Sequence, residues 1–223
     1  MPKLVVLGCS VSDYTHVDKA WGEILSEKLE HEYIHEASGC GSNWRMWRKV
    51  FGLINNNIIC NNDTVIVQYT ETIRNEFWSP YQKKSRPLYG SKKTYLVEKY
   101  NDDGAIIKFK MDAHTFNDYT SAEKKFFKNY TRFISEDFEL ENFTMMHNMF
   151  QGFMKDKGFD NLYFVKAGGY GPVTNEEDFI DYYKQKFISI PDAFQNHLPK
   201  DHLHMNQTGH KKLADIVYNY IKS

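Results

Sequence analysis

Long apolar runs are missing from this sequence: no window approaches the ~18 apolar residues of a membrane span, which excludes a helical membrane protein. Cysteine is scarce, with three residues in 223. Cys9, Cys40 and Cys60 form no C-x-x-C pair and no even set, so neither a disulfide framework nor a zinc knuckle is indicated. An excess of charge is lacking as well. Lys and Arg number 28 against 29 Asp and Glu, for a formal net charge of −1, which argues against nucleic acid as a bulk partner. The opening residues, MPKLVVLGCS, carry one lysine and a short apolar run broken by Gly8, too short for a secretory leader and without a small-residue cleavage site. These absences lead to the expectation of a cytoplasmic protein in a reducing compartment. No internal repeat is visible.

What remains is a globular composition, 41% hydrophobic and 26% charged, long enough to bury a real core. Short apolar runs alternate with helical patterns, the signature of a parallel α/β sheet. The strands expected are 3–8 (KLVVLG), 32–38 (EYIHEAS), 63–70 (DTVIVQYT), 161–167 (NLYFVKA) and 186–190 (KFISI). Helices are expected over 18–30, after Asn43 with Trp44, Trp47, Val50 and Phe51 on one side, and over 207–221. The prediction is a three-layer α/β/α sandwich around a central parallel sheet of about five strands, with residues 1–223 forming a single domain.

Residues 78–157 break this rhythm and read as an α+β insertion, serving as lid or partner surface. The stretch 82–93, QKKSRPLYGSKK, holds five basic residues and no acid, and reads as a solvated loop. YLVEKYNDDGAIIKFKM reads as a hairpin turning at Asp103-Gly104. Thr120 and Glu123 have capping-box spacing ahead of an amphipathic helix, and a further helix spans about 141–155.

Three places carry chemistry. The first strand runs into Gly8-Cys9-Ser10-Val11-Ser12, which sets a serine where open α/β sheets place their ligands. The second strand ends in Ala37-Ser38-Gly39-Cys40-Gly41-Ser42-Asn43, where glycines allow close backbone approach and the following helix offers its positive end. Near the C-terminus, DHLHMNQTGH gathers Asp201, His202, His204 and His210. A metal site is one reading, but the histidine separations of two and six match no common ligand spacing. The other is an acid–base pair. Asp201 and His204, three apart, can share one face of a turn, so that the carboxylate holds Nδ1–H while Nε2 faces a serine. A serine needs such a base because its hydroxyl is barely ionised at neutral pH.

Together these pieces resemble the SGNH (GDSL-type) hydrolase family, in a subgroup with GCS in the first block and G-x-SN in the second. Gly8-Cys9-Ser10 matches the first block, with Cys in place of Asp; Gly41 in GCGSN matches the second; Asp201, His204 and Gly209-His210 match the last. The resemblance covers the strands and the two ends and says nothing about 78–157. It implies a flavodoxin-like α/β/α fold and serine esterase activity, on a small-molecule or carbohydrate ester such as an O-acetyl sugar. Ser10 would be the nucleophile, His204 the general base and then acid, and Asp201 the orienting carboxylate. The N–H groups of Ser10 and Gly41 would bind the oxyanion, and neither metal nor organic cofactor is implied. The subgroup is frequent among bacteria and their viruses, so a viral source would place the protein in the host cytoplasm or in the virion.

The family's third block supplies an oxyanion-binding Asn just after the third strand. Here that strand continues as QYTETIRNEF, and the position falls near Thr72. Substitute donors are Thr72 and Asn43, with Thr70 and Arg74 as further candidates that also suit substrate binding. The alternative implied is an SGNH-like module without turnover that binds glycan or a protein partner.

Overall fold

A computed structural model describes residues 1–14, 17–39, 41–70, 74–80, 84–89, 95–100, 106–111, 120–133, 136–167, 187–190 and 204–223. Its centre is a five-stranded sheet built from β1 (Lys3–Gly8), β2 (Glu32–Ala37), β3 (Thr64–Gln68), β8 (Leu162–Ala167) and β9 (Phe187–Ile190), in the order β2-β1-β3-β8-β9. Every neighbouring pair is parallel. The expected five-strand parallel sheet is therefore present, with each strand within two residues of its expected ends.

Parallel strands buried on both faces read as continuous apolar runs, and β1 and β3 do so because each face is covered by helices. Alternate residues feed the two layers. Leu4, Val6, Ile66, Tyr163 and Val165 pack with helix α1 (Trp21–Leu29) and helix α5 (Gln207–Lys222). Val5, Leu7, Val65, Val67, Leu162 and Phe164 pack with α2 (Asn43–Asn55) and α4 (Glu136–Asp156). In α2, Trp47 and Val50 are buried as expected, while Trp44 on the first turn is 37% exposed.

Local chemistry sets the helix starts. Ser42 caps α2, its Oγ accepting the Arg45 N–H at 3.1 Å, and Asn206 caps α5, its Oδ1 accepting the Gly209 N–H at 3.0 Å. The Thr120–Glu123 capping box forms in both directions at the head of α3 (Ser121–Phe133). Helix α1 begins at Trp21, later than expected; ahead of it Asp18 and Lys19 give their N–H groups to Gln207 Oε1 on α5.

Between β3 and β8 the chain makes two antiparallel hairpins, each a separate two-stranded sheet. β4 (Arg74–Ser79) pairs with β5 (Lys84–Tyr89), and β6 (Tyr95–Tyr100) pairs with β7 (Ile106–Met111). The second hairpin is the one expected around Asp103-Gly104, a turn outside the described residues. The first corrects the reading of 82–93 as a loop: Lys84–Tyr89 is a strand despite its basic residues and Pro87. A two-stranded ribbon has open edges, so a proline and basic residues are tolerated there. α4 also begins at Glu136, five residues earlier than expected.

Candidate active site

In the strand order β1 is flanked by β2 on one side and the central β3 on the other, so the chain reverses its winding direction at the β1–β3 boundary. In open α/β sheets such a switch point opens a crevice at the carboxyl ends of the strands. Ser10 stands two residues beyond the end of β1, half-buried. Its carbonyl accepts the Asp13 N–H at 3.4 Å, and Cys9 O accepts the Ser12 N–H at 3.0 Å, which closes a tight turn. Among the described residues neither the Ser10 N–H nor its Oγ has a hydrogen-bond partner, so Ser10 and His204 are not hydrogen-bonded to each other in this structure.

Two glycines let the turns after β1 and β2 touch. A Cβ on Gly8 would stand 2.6 Å from both Cβ and Oγ of Ser12 and 3.0 Å from Gln68 Oε1. A Cβ on Gly41 would stand 2.9 Å from Gly8 O and 3.0 Å from Ser38 O. The Ser38 N–H also donates to Gly8 O at 3.1 Å, joining the two turns directly.

The Ser10 turn is braced on both sides. On the inner side, Gln68 Oε1 accepts from Ser12 Oγ at 3.1 Å and from Cys9 N at 3.5 Å, while Gln68 Nε2 donates to Tyr69 O. Trp21 Nε1–H donates to Ser12 Oγ at 2.9 Å. On the outer side, Asp13 accepts from Gly39 N at 3.2 Å and from Tyr14 N at 2.8 Å, and its Oδ1 lies 3.1 Å from His35 Nε2. His35 Nδ1 meets the Tyr33 hydroxyl at 3.0 Å, and the Tyr14 ring packs on the imidazole. None of Gln68, Ser12, Trp21, Asp13 or His35 was expected at the site. Gln68 alone had a signal in the sequence, an amide at the end of an otherwise apolar central strand.

The expected oxyanion donors are arranged differently from the reading of the sequence. The Gly41 N–H turns to Ser38 O at 2.9 Å, because the Ser38–Gly41 turn closes on itself. The Asn43 side chain is committed to Thr70: its Oδ1 accepts the Thr70 N–H and its Nδ2 donates to Thr70 O, each at 3.0 Å. Thr70 itself is buried, and its Oγ1 finds no hydrogen-bond partner among the described residues. Arg74 begins β4, and Thr72 and Asp201 lie outside the described residues.

His204 stands just ahead of α5, partly buried. His210, on the first turn of α5, is 1% exposed, and its Nδ1 accepts the Trp21 backbone N–H at 2.9 Å. Burial, and secondarily the nearby His204, push the His210 pKa down to about 4. With one ring nitrogen committed to Trp21, His210 serves as an acceptor joining α5 to α1. Tyr69 is fully buried against Trp47, Phe143 and Phe164, and so belongs to the core.

The fold has a counterpart among solved structures. The chain superposes on the crystal structure of the psychrotrophic esterase EstA from Pseudoalteromonas sp., inhibited by monoethylphosphonate, with a TM-score of 0.50 and 12% identity. The match covers 100% of this chain and 97% of that one. No family model matches the sequence, and no curated protein matches it. The class defined is thus a three-layer α/β/α sandwich with an esterase among its members.

Proposed function

We propose that the chain is a serine esterase of the SGNH type that hydrolyses a carboxylic ester, with Ser10 as nucleophile. The observation that carries this reading is the position of Ser10: a half-buried serine, its N–H and Oγ free of partners among the described residues, on a turn braced from both sides at the switch point of the sheet. The likeness of the fold to an esterase inhibited by a phosphonate supports it.

In this mechanism Ser10 Oγ attacks the ester carbonyl carbon while His204 takes its proton, and an acyl-enzyme forms as the alcohol leaves with that proton. Water then attacks the acyl carbon with His204 again as base, releasing the acid and restoring Ser10. Asp201 orients His204. The Ser10 N–H faces the developing oxyanion, and Thr70 Oγ1, buried without a partner among the described residues just beyond the end of β3, is the proposed substitute donor. The Ser10–His204 hydrogen bond forms when substrate fills the crevice, since such contacts often tighten only in the complex. An O-acetylated carbohydrate is the proposed substrate class, with the exposed indole of Trp44 beside the Gly41 turn as a stacking surface for a sugar ring.

A second reading is supported by the commitment of Gly41 N–H and Asn43 to other partners. It is a module of the same fold that binds glycan or a protein partner without turnover. Hydrolysis of an aryl acetate separates the two: the esterase reading expects turnover that Ser10→Ala lowers by at least ~1000-fold, the scale of loss for nucleophilic serines. Turnover unchanged in Ser10→Ala would contradict it.

A further inference from the structure

Beneath the Ser10 turn a path of hydrogen bonds runs to the C-terminal helix. Gln68 Oε1 accepts from Ser12 Oγ, Ser12 Oγ accepts the Trp21 indole N–H, and the Trp21 backbone N–H donates to His210 Nδ1. All four residues are buried at 0 to 1% exposure. The Trp21 N–H is one of the first-turn donors that a helix leaves without an internal partner, and α1 has no side-chain cap at Ala20. His210 supplies the missing acceptor from 189 positions away in sequence. Beside it, Gln207 closes a second clasp, accepting from Asp18 N and Lys19 N and donating to Lys19 O at 2.8 Å.

The path ends, at one side, under the turn that carries Ser10. At the other side it ends on the first turn of α5, directly after the segment that carries His204. No other described hydrogen bond joins the inner brace of the Ser10 turn to α5. We propose that His210 is a positioning residue: by accepting the Trp21 amide, it registers the His204 segment against the Ser10 turn, so that base and nucleophile share one frame. This rests on the esterase reading above.

The chemistry requires an acceptor that reaches Trp21 N from inside α5. A neutral imidazole protonated at Nε2 provides one at Nδ1. Its depressed pKa keeps the ring neutral wherever an ordinary histidine base is also neutral. Asparagine can place Oδ1 close to where Nδ1 stands, whereas alanine leaves the Trp21 N–H buried and unpaired.

The test compares His210→Ala, His210→Asn, Ser12→Ala and Leu213→Ala. Leu213 is buried on the same helix but has no part in the hydrogen-bonded path. Four readouts are followed: aryl acetate kinetics, the rate of Ser10 labelling by a fluorophosphonate, thermal unfolding, and the NMR resonance of the Trp21 indole N–H. Expected for His210→Ala are a loss in kcat and labelling rate of at least tenfold, KM within twofold, and a displaced Trp21 resonance. His210→Asn should regain most of both rates. Ser12→Ala, which cuts the path without touching α5, should lower kcat in the same way even if His210→Ala does not fold. Leu213→Ala should lose stability while keeping kcat within threefold. Normal kcat in Ser12→Ala or His210→Ala, no recovery in His210→Asn, or an equal loss in Leu213→Ala would overturn the proposal while leaving a labelled wild-type Ser10 intact. A wild-type protein unlabelled at Ser10 would instead overturn the esterase reading, and the positioning role with it.

Discussion

The side chain of Asn43 pairs with both backbone polar groups of Thr70, accepting from its N–H and donating to its carbonyl, each at 3.0 Å. An amide side chain here substitutes for a strand neighbour at the point where β3 has ended but the chain is still buried. It thereby joins the first turn of α2 to the end of the central strand. Removing it strands two buried backbone groups, each worth about 1–3 kcal/mol when left unpaired.

Asn43→Ala is therefore expected to lose about 2–6 kcal/mol of stability, read as a lowered urea midpoint with an unchanged slope. Its kcat, measured on the folded fraction, should change less than its stability. A variant with normal stability and a kcat reduced a hundredfold would assign Asn43 to the oxyanion instead.

Gly8→Ala and Gly41→Ala test the contact between the two turns. In Gly41→Ala the new Cβ meets two backbone carbonyls, which cannot swing aside as side chains do. In Gly8→Ala it meets Ser12 and Gln68, the inner brace of the Ser10 turn. Both should cost about 1–3 kcal/mol as overpacking, and both should reduce turnover because the turn moves. Denaturant unfolding and aryl acetate kinetics check the pair; full activity in Gly41→Ala would show that the two turns need not touch.

Acid sensitivity follows from two buried histidines. His210 is held down to about 4 and His147 to about 3, in each case chiefly by burial, against about 6.5 in the unfolded chain. Between those values the unfolded chain takes up protons that the native fold refuses. Their stabilising effect is thus complete above pH 6.5 and is lost as pH falls toward 4 and 3. At pH 5 the two together should have lost on the order of 4 kcal/mol. His147 lies between the Tyr69 hydroxyl and the Gln151 amide, stacked on Phe143. Urea midpoints from pH 7.5 to 4.5 should fall steeply, and less so in His147→Gln. A flat profile would contradict the burial of both rings as neutral groups.

The inner strands β1 and β3 were legible in the sequence because they are buried on both faces, so apolar runs such as TVIVQ mark them without ambiguity. The Thr120–Glu123 cap was legible for a similar reason, since its chemistry is local. The β4–β5 hairpin was not, because a ribbon with open edges needs no apolar run and tolerates Lys84, Arg86 and Pro87. At the site, the serine turn and its glycines were readable, as both answer to local backbone geometry. The partners of Gly41, Asn43 and His210 were not. Each is a hydrogen bond whose other half is chosen by packing, and for His210 that half lies on the far end of the chain, at Trp21.

The central claim is that Ser10 is an activated nucleophile. Incubation with a fluorophosphonate followed by intact mass and peptide mapping addresses it most directly. The account predicts a single adduct on the peptide carrying Ser10, absent in Ser10→Ala and formed at least ~1000-fold more slowly in His204→Ala, as expected when a nucleophile loses its base. No adduct, an adduct on another serine, or labelling unaffected by His204→Ala would contradict it.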